Sequence, residues 1–232
     1  MKIAGLVRSS LIDFPGRVAA VIFTPGCNFR CPWCHNAELA LTPDTAPPAH
    51  SLGEVLDFLE SRRGLLGGVV ISGGEPTLQP GLTDCIEKVK TLGLGVKLDT
   101  NGTRPDILAS LIESRLLEYM ALDVKGPPEA YPALSGMPEA PLQAIERAMA
   151  LLARHVSTAK GSFRAEFRTT VMEPHLDEAG LLGMARWIPA GIPWRLQAFT
   201  PQHGMLDPGF SGHAPTETRL AEMQALVDAA RR

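Results

Sequence analysis

The chain has 232 residues, 45% of them hydrophobic, and a formal net charge of −3. That length suits one domain with a sizeable core, and Lys and Arg spread thinly without a basic stripe exclude nucleic acid as the expected main partner. No apolar run approaches the ~20 residues of a membrane-spanning helix, and Met1-Lys2-Ile3-Ala4-Gly5 opens no secretory signal, so a cytoplasmic location without membrane contact is expected.

The first strand is predicted at Val18–Phe23. It runs through Thr24-Pro25-Gly26 into Cys27-Asn28-Phe29-Arg30-Cys31-Pro32-Trp33-Cys34. A Pro-rich loop, Leu41–His50, follows. Ser51 and Glu54 form a capping-box pair ahead of Leu52, Val55, Leu56 and Leu59, which predicts a helix stopped by Gly64. A strand at Val69–Ser72 ends in Ser72-Gly73-Gly74-Glu75-Pro76. Leu82, Cys85, Ile86 and Val89 make the next helical stripe. The third strand, Val96–Thr100, ends in Asp99-Thr100-Asn101-Gly102. Pro105 opens a helix carrying Ile107, Leu108, Leu111 and Ile112.

The fourth strand, Tyr119–Val124, ends in Asp123-Val124-Lys125 and leads into a loop rich in Pro and Gly, Gly126–Pro141. A helix on Leu142, Ile145, Met149 and Leu152 precedes the fifth strand, Phe163–Val171, which contains Arg168 and mixes charged with apolar residues. A sixth strand, Trp194–Phe199, a loop, Thr200–Pro215, and a helix on Leu220, Met223, Leu226 and Val227 complete the order. Short apolar runs suit parallel strands buried on both faces. Their alternation with helices predicts an α/β fold of βαβ units, either an open sheet or a partial barrel, with function at the carboxyl ends of the strands. The expectation is one domain over residues 1–232, with a core from about 16 to 200 and a C-terminal loop and helix from 200 to 232.

Three of the four cysteines, Cys27, Cys31 and Cys34, lie within eight residues. In a reducing compartment such a group reads as metal ligation rather than a disulfide framework. Three thiolates on one loop can hold three irons of a [4Fe–4S] cluster, whose full set is four protein ligands. The remaining Cys85 falls on the apolar face of a helix and is expected to be a small buried hydrophobe. One iron then keeps an open position, as catalytic metal centres do. The alternative is a structural zinc site with His35 as fourth ligand, although His35 adjoins Cys34 and the pair wraps poorly around one tetrahedral ion.

The spacing C-x3-C-x2-C after a first strand resembles the signature of the radical S-adenosylmethionine superfamily. That resemblance implies a partial (β/α)6 barrel of the TIM type, a [4Fe–4S] cluster on Cys27, Cys31 and Cys34, and S-adenosylmethionine chelating the open iron. An electron from the cluster then yields methionine and a 5′-deoxyadenosyl radical. Gly73, Gly74 and Glu75 resemble the family's glycine-rich segment, with Glu75 expected to accept from the cofactor's ammonium.

Asp99, Asn101, Lys125 and Arg168 resemble positions that hold the cofactor in glycyl-radical activating enzymes, and Asp99, Thr100 and Asp123 resemble a site for a monovalent cation there. Lys125 and Arg168 are expected to neutralise either the cofactor carboxylate or the adjacent acids. Ser10–Gly16, with Phe23–Asn36, is most similar to anaerobic ribonucleoside-triphosphate reductase activating proteins. This implies hydrogen abstraction from a glycine of that partner, with flavodoxin or ferredoxin as electron donor. The other readings are radical chemistry on a small molecule, or a non-catalytic iron–sulfur or zinc module.

Overall fold

The computed structural model describes residues 1–43, 45–158, 163–200 and 205–232. Among the described residues seven strands form one sheet in sequence order: β1 Gly5–Ser10, β2 Ala19–Thr24, β3 Gly68–Gly73, β4 Gly95–Thr100, β5 Tyr119–Asp123, β6 Arg164–Val171 and β7 Trp194–Ala198. β2 to β7 are parallel, each paired with its sequence neighbour, and they match the six expected runs to within about a residue. β1 corrects the expectation of six strands. It pairs antiparallel with β2, and its half-exposed sequence Gly-Leu-Val-Arg-Ser-Ser is that of a polar edge strand, which gives a weak apolar signal. β1 and β7 are the two edges, so the sheet is not closed.

The connecting helices are α1 Ala37–Leu41, α2 Leu52–Ser61, α3 Leu82–Thr91, α4 Pro105–Glu113, α5 Tyr131–Ser135, α6 Leu142–Thr158, α7 Glu178–Trp187 and α8 Glu217–Ala230. Ser51 and Glu54 cap α2 as a full capping box, and Cys85 is fully buried in α3. α5 lies inside the expected loop Gly126–Pro141, and α7 was not expected at all. Gly180 and Gly183 lower its helix propensity, and its buried positions are only Leu181, Met184 and Ala185. The loop Leu41–His50 contains position 44, and the loop Thr200–Pro215 contains 201–204; those positions lie outside the described residues. No described helix is long and apolar enough to cross a membrane.

Side chains alternate across the sheet. One face, with Val69, Ile71, Val96, Leu98, Met120 and Leu122, packs under the helices. The other carries Ala19, Val21, Val70 and Tyr119 beneath Phe14, followed toward the strand ends by charged residues. β4 departs from the expectation of strands apolar on both faces. Its inner positions are Lys97 and Asp99, with side chains only 3% and 12% exposed.

Phe14 closes the amino-terminal end of this face. A Cβ on Gly68 would stand 2.8 Å from its ring, so only glycine permits the approach.

Candidate active site

β2 delivers the chain through Thr24-Pro25-Gly26 into the cysteine loop, which α1 ends. Gly26 has φ +78° and donates its N–H to the Leu39 carbonyl at 2.7 Å, closing the loop on itself. The end of β3 is packed against this turn. Gly74 N donates to Thr24 O and Glu75 N to Gly26 O, both at 2.8 Å. A Cβ on Gly73 would fall 2.4 Å from Thr24 N, and one on Gly74 2.0 Å from Gly26 O. The glycine pair is therefore required by backbone packing onto the cysteine loop, a reason independent of any ligand.

α5 supports the loop from the other side. Arg30 N donates to Ser135 O at 2.9 Å, and Trp33 Nε1 donates to Leu134 O at 3.0 Å. Phe29 meets Tyr131 edge-on at 6.2 Å, and the Trp33 ring lies 5.3 Å from Lys125 Nζ. Both aromatics are buried beside the cysteines. The C-terminal loop reaches the same place: Asp207 N donates to Pro32 O at 3.0 Å, and Phe210 packs on Phe199.

Cys27, Cys31 and Cys34 line one cavity with Gly73, Gly74 and Glu75 and with the ends of β4, β5 and β6. All the expected site residues, Asp99, Thr100, Asn101, Asp123, Lys125 and Arg168 included, line it too. Burial pushes the Cys27 thiol up to about 11, partly offset by the Phe29 N–H, and the Cys31 thiol up to about 12, with Lys125 pulling down. These thiols hold their protons at neutral pH until a metal displaces them.

Glu75 is 1% exposed. Its Oε1 accepts from Thr77 N at 3.0 Å, Thr77 Oγ1 at 2.5 Å and Thr100 Oγ1 at 2.8 Å. Its Oε2 accepts from Asn101 N at 2.7 Å. Burial raises the carboxyl's pKa and these donors oppose it. Asn101 in turn donates from Nδ2 to Asn28 Oδ1 at 2.9 Å and accepts from Thr103 Oγ1 at 2.7 Å. Nδ2 also stands 4.0 Å from Cys27 Sγ.

The charged residues form a chain. Arg168 bridges Asp99 (Nη1 to Oδ2, 3.1 Å) and Asp123 (Nε to Oδ1, 2.9 Å), and Lys125 Nζ lies 3.1 Å from Asp123 Oδ2. Of the two roles expected for Lys125 and Arg168, the structure shows neutralisation of the adjacent acids. Burial alone would raise the Asp123 carboxyl, but Arg168 and Lys125 outweigh it and hold the group down at about 2. The same carboxylates raise the pKa values of both cations against the effect of burial. Sequence reasoning missed Lys97, Asn28 and Tyr131. Lys97 was hidden in a strand read as apolar, although its spacing of two from Asp99 places both on one face.

Residues 21–164, well over half of the chain, match the Radical SAM superfamily. The chain belongs to that superfamily. Its members use a [4Fe–4S] cluster and S-adenosylmethionine.

A Methanocaldococcus jannaschii protein, provisionally named a glycyl-radical enzyme activating enzyme, is 30% identical over 222 residues, which cover 95% of this chain and 89% of that protein. A 7-carboxy-7-deazaguanine synthase of Methanopyrus kandleri is 32% identical over 58% of the chain and 59% of its own length. A pyruvate formate-lyase-activating enzyme of Streptococcus mutans is 35% identical over 43% of the chain and 40% of its own. Among solved structures, TYW1 with a lysine-pyruvate adduct has a TM-score of 0.62 at 13% identity, covering 91% of this chain and 73% of that one. Streptococcus suis SuiB bound to S-adenosylmethionine has 0.59 at 15%, covering 90% and 47%. These two show likeness of fold.

The residues fit the superfamily's cluster. Three thiols face one cavity, and Phe29 N donates toward Cys27 Sγ at 3.3 Å, a contact that a thiolate accepts. His35, the fourth ligand of the zinc alternative, has its buried Nε2 without a partner. The monovalent cation fits less well. Thr100 Oγ1 donates to Glu75, and every carboxylate oxygen of Asp99 and Asp123 already faces a Lys or Arg of the chain.

Proposed function

We propose that this chain activates a glycyl-radical enzyme by removing a hydrogen atom from a backbone glycine, and that the partner is an anaerobic ribonucleoside-triphosphate reductase. The observation that carries the reading is the reach of the resemblance. It runs over 222 residues to a relative named for glycyl-radical activation, while similarity to the deazaguanine synthase stops at 154. An unclosed sheet also suits a protein loop as substrate, because a loop needs lateral entry. The choice of reductase rests on the Ser10–Gly16 segment, and the proposed place of action is the cytoplasm.

In this reading Cys27, Cys31 and Cys34 hold the cluster. When bound, the cluster and S-adenosylmethionine supply an electron and a carbon-centred radical that takes the glycine's hydrogen atom. The chain's own residues bind, orient and exclude water. Glu75 Oε2, which accepts from Asn101 N, also accepts from the cofactor's ammonium. Gly73 and Gly74 fix that wall against the cysteine loop. Asp99, Asn101, Lys125 and Arg168 receive the ribose and the carboxylate, with Lys125 donating a charge-assisted hydrogen bond. Phe29 and Trp33 keep the cluster dry, and a flavodoxin or ferredoxin delivers the electron.

The test is isotopic. The reductase is prepared with deuterated glycine and incubated anaerobically with reduced enzyme and S-adenosylmethionine. Deuterium in 5′-deoxyadenosine is the expected result. Label retained in the reductase while a small metabolite is consumed would overturn the activase reading in favour of small-molecule chemistry.

A further inference from the structure

Lys97 is buried on the inner face of β4, two residues before Asp99. Its Nζ donates to the Asp13 carbonyl at 2.6 Å and lies 3.0 Å from Asp99 Oδ1 as an ion pair, off the axis of a hydrogen bond. The other Asp99 oxygen meets Arg168, and Arg168 and Lys125 take both oxygens of Asp123. Five charges thus lie in one unbroken chain from Lys97 to Lys125. Three are positive and two negative, so one positive charge is left over. Without Lys97 the count would be zero, and Asp99 Oδ1 would be a buried anion facing nothing. Lys97 is held in place from below, because the loop that supplies Asp13 also carries Phe14 across the amino-terminal end of the sheet.

We propose that Lys97 is the built-in counter-ion of the cofactor pocket. Its ammonium does the work that a monovalent metal ion would do at Asp99, keeps Asp99 and Arg168 in register, and leaves the excess positive charge for an anionic cofactor group. Lys97 is a positioning residue, since it acts through Asp99. The proposal rests on the reading of Asp99, Lys125 and Arg168 as the wall that binds S-adenosylmethionine.

Calorimetry of S-adenosylmethionine binding to anaerobically reconstituted enzyme tests it, in potassium chloride and in choline chloride at equal ionic strength. The wild-type affinity should be the same in both salts. Lys97→Met should bind about ten- to a hundredfold more weakly in choline, the scale of one lost interaction with a charged group, and potassium should restore much of the loss. Lys97→Arg should bind in choline like the wild type.

A wild-type enzyme that needs potassium would overturn the proposal. So would a Lys97→Met variant with undiminished affinity in choline, or one that potassium does not help. If Lys97→Met does not fold, judged by circular dichroism and iron content, the wild-type salt comparison and Lys97→Arg still decide. Failure of the pocket reading looks different: Lys125→Ala and Arg168→Ala would then leave binding unchanged in either salt.

Discussion

Glu75→Gln should destabilise the protein before any cofactor is added. The two carboxylate oxygens face two backbone N–H groups on opposite sides, Thr77 N at 3.0 Å on Oε1 and Asn101 N at 2.7 Å on Oε2. The hydroxyls of Thr77 and Thr100 can rotate, but the backbone donors cannot. A glutamine satisfies one of them with its carbonyl and turns its NH2 toward the other. One buried donor left without an acceptor costs about 1–3 kcal/mol. Glu75→Ala strands both, about 2–6 kcal/mol on the same basis, a large share of the ~5–15 kcal/mol that holds a typical domain together.

The assay is anaerobic urea denaturation of the metal-free protein, followed by circular dichroism, for wild type, Gln and Ala. The expected order of midpoints is wild type, then Gln, then Ala, with iron uptake on reconstitution falling in the same order. A Gln variant within ~0.5 kcal/mol of wild type, the usual range of an inconsequential surface change, would refute the clasp. It would mean that burial keeps Glu75 protonated, so that an amide replaces it at no cost.

Gly74→Ala should prevent correct closure of the cysteine loop, because its Cβ would stand 2.0 Å from Gly26 O; iron per chain after reconstitution reports it, and full iron content would contradict the packing. Alanine at Cys27, Cys31 or Cys34 should each abolish a cluster of about four irons, whereas Cys85→Ala, buried in α3, should leave the iron content intact and lower only stability. Asp123 is depressed from 3.8 to about 2 in the folded state. A carboxyl depressed on folding stabilises above its unfolded pKa and loses that contribution as pH falls. The stability gap between wild type and Asp123→Asn should therefore be constant above pH ~5 and shrink progressively as the pH falls to ~2 and below, as acid titration of the two proteins would show; a gap that widens on acidification would contradict the pairing with Arg168 and Lys125.

The parallel core of the fold was legible because its strands are short apolar runs set between helices with readable caps, such as Ser51 and Glu54. The candidate site was legible because it collects at the ends of successive strands, where Asp99 and Lys125 directly follow Leu98 and Val124 and where Glu75 and Asn101 stand just beyond the ends of β3 and β4. The rest was not, for identifiable reasons. β1 is half exposed and contributes little apolar pattern. α7 holds two glycines and a short buried stripe. Lys97 reads as an interruption of an apolar strand until the inner face of the sheet is known to be charged. Glu75 reads as a ligand from its place in the motif, yet its carboxylate accepts four hydrogen bonds from Thr77, Thr100 and Asn101, and the last two are brought to it only by the pairing of β3 with β4.

Electron paramagnetic resonance on the proposed partner reads the product of the proposed reaction itself. Reduced, reconstituted enzyme is mixed anaerobically with S-adenosylmethionine and the anaerobic ribonucleotide reductase of the same organism, with the Cys31→Ala variant in parallel. A glycyl-radical doublet on the reductase is expected in the wild-type mixture and none with the variant. Full cleavage of S-adenosylmethionine with no radical on the reductase, or a radical formed equally well by the variant, would contradict it.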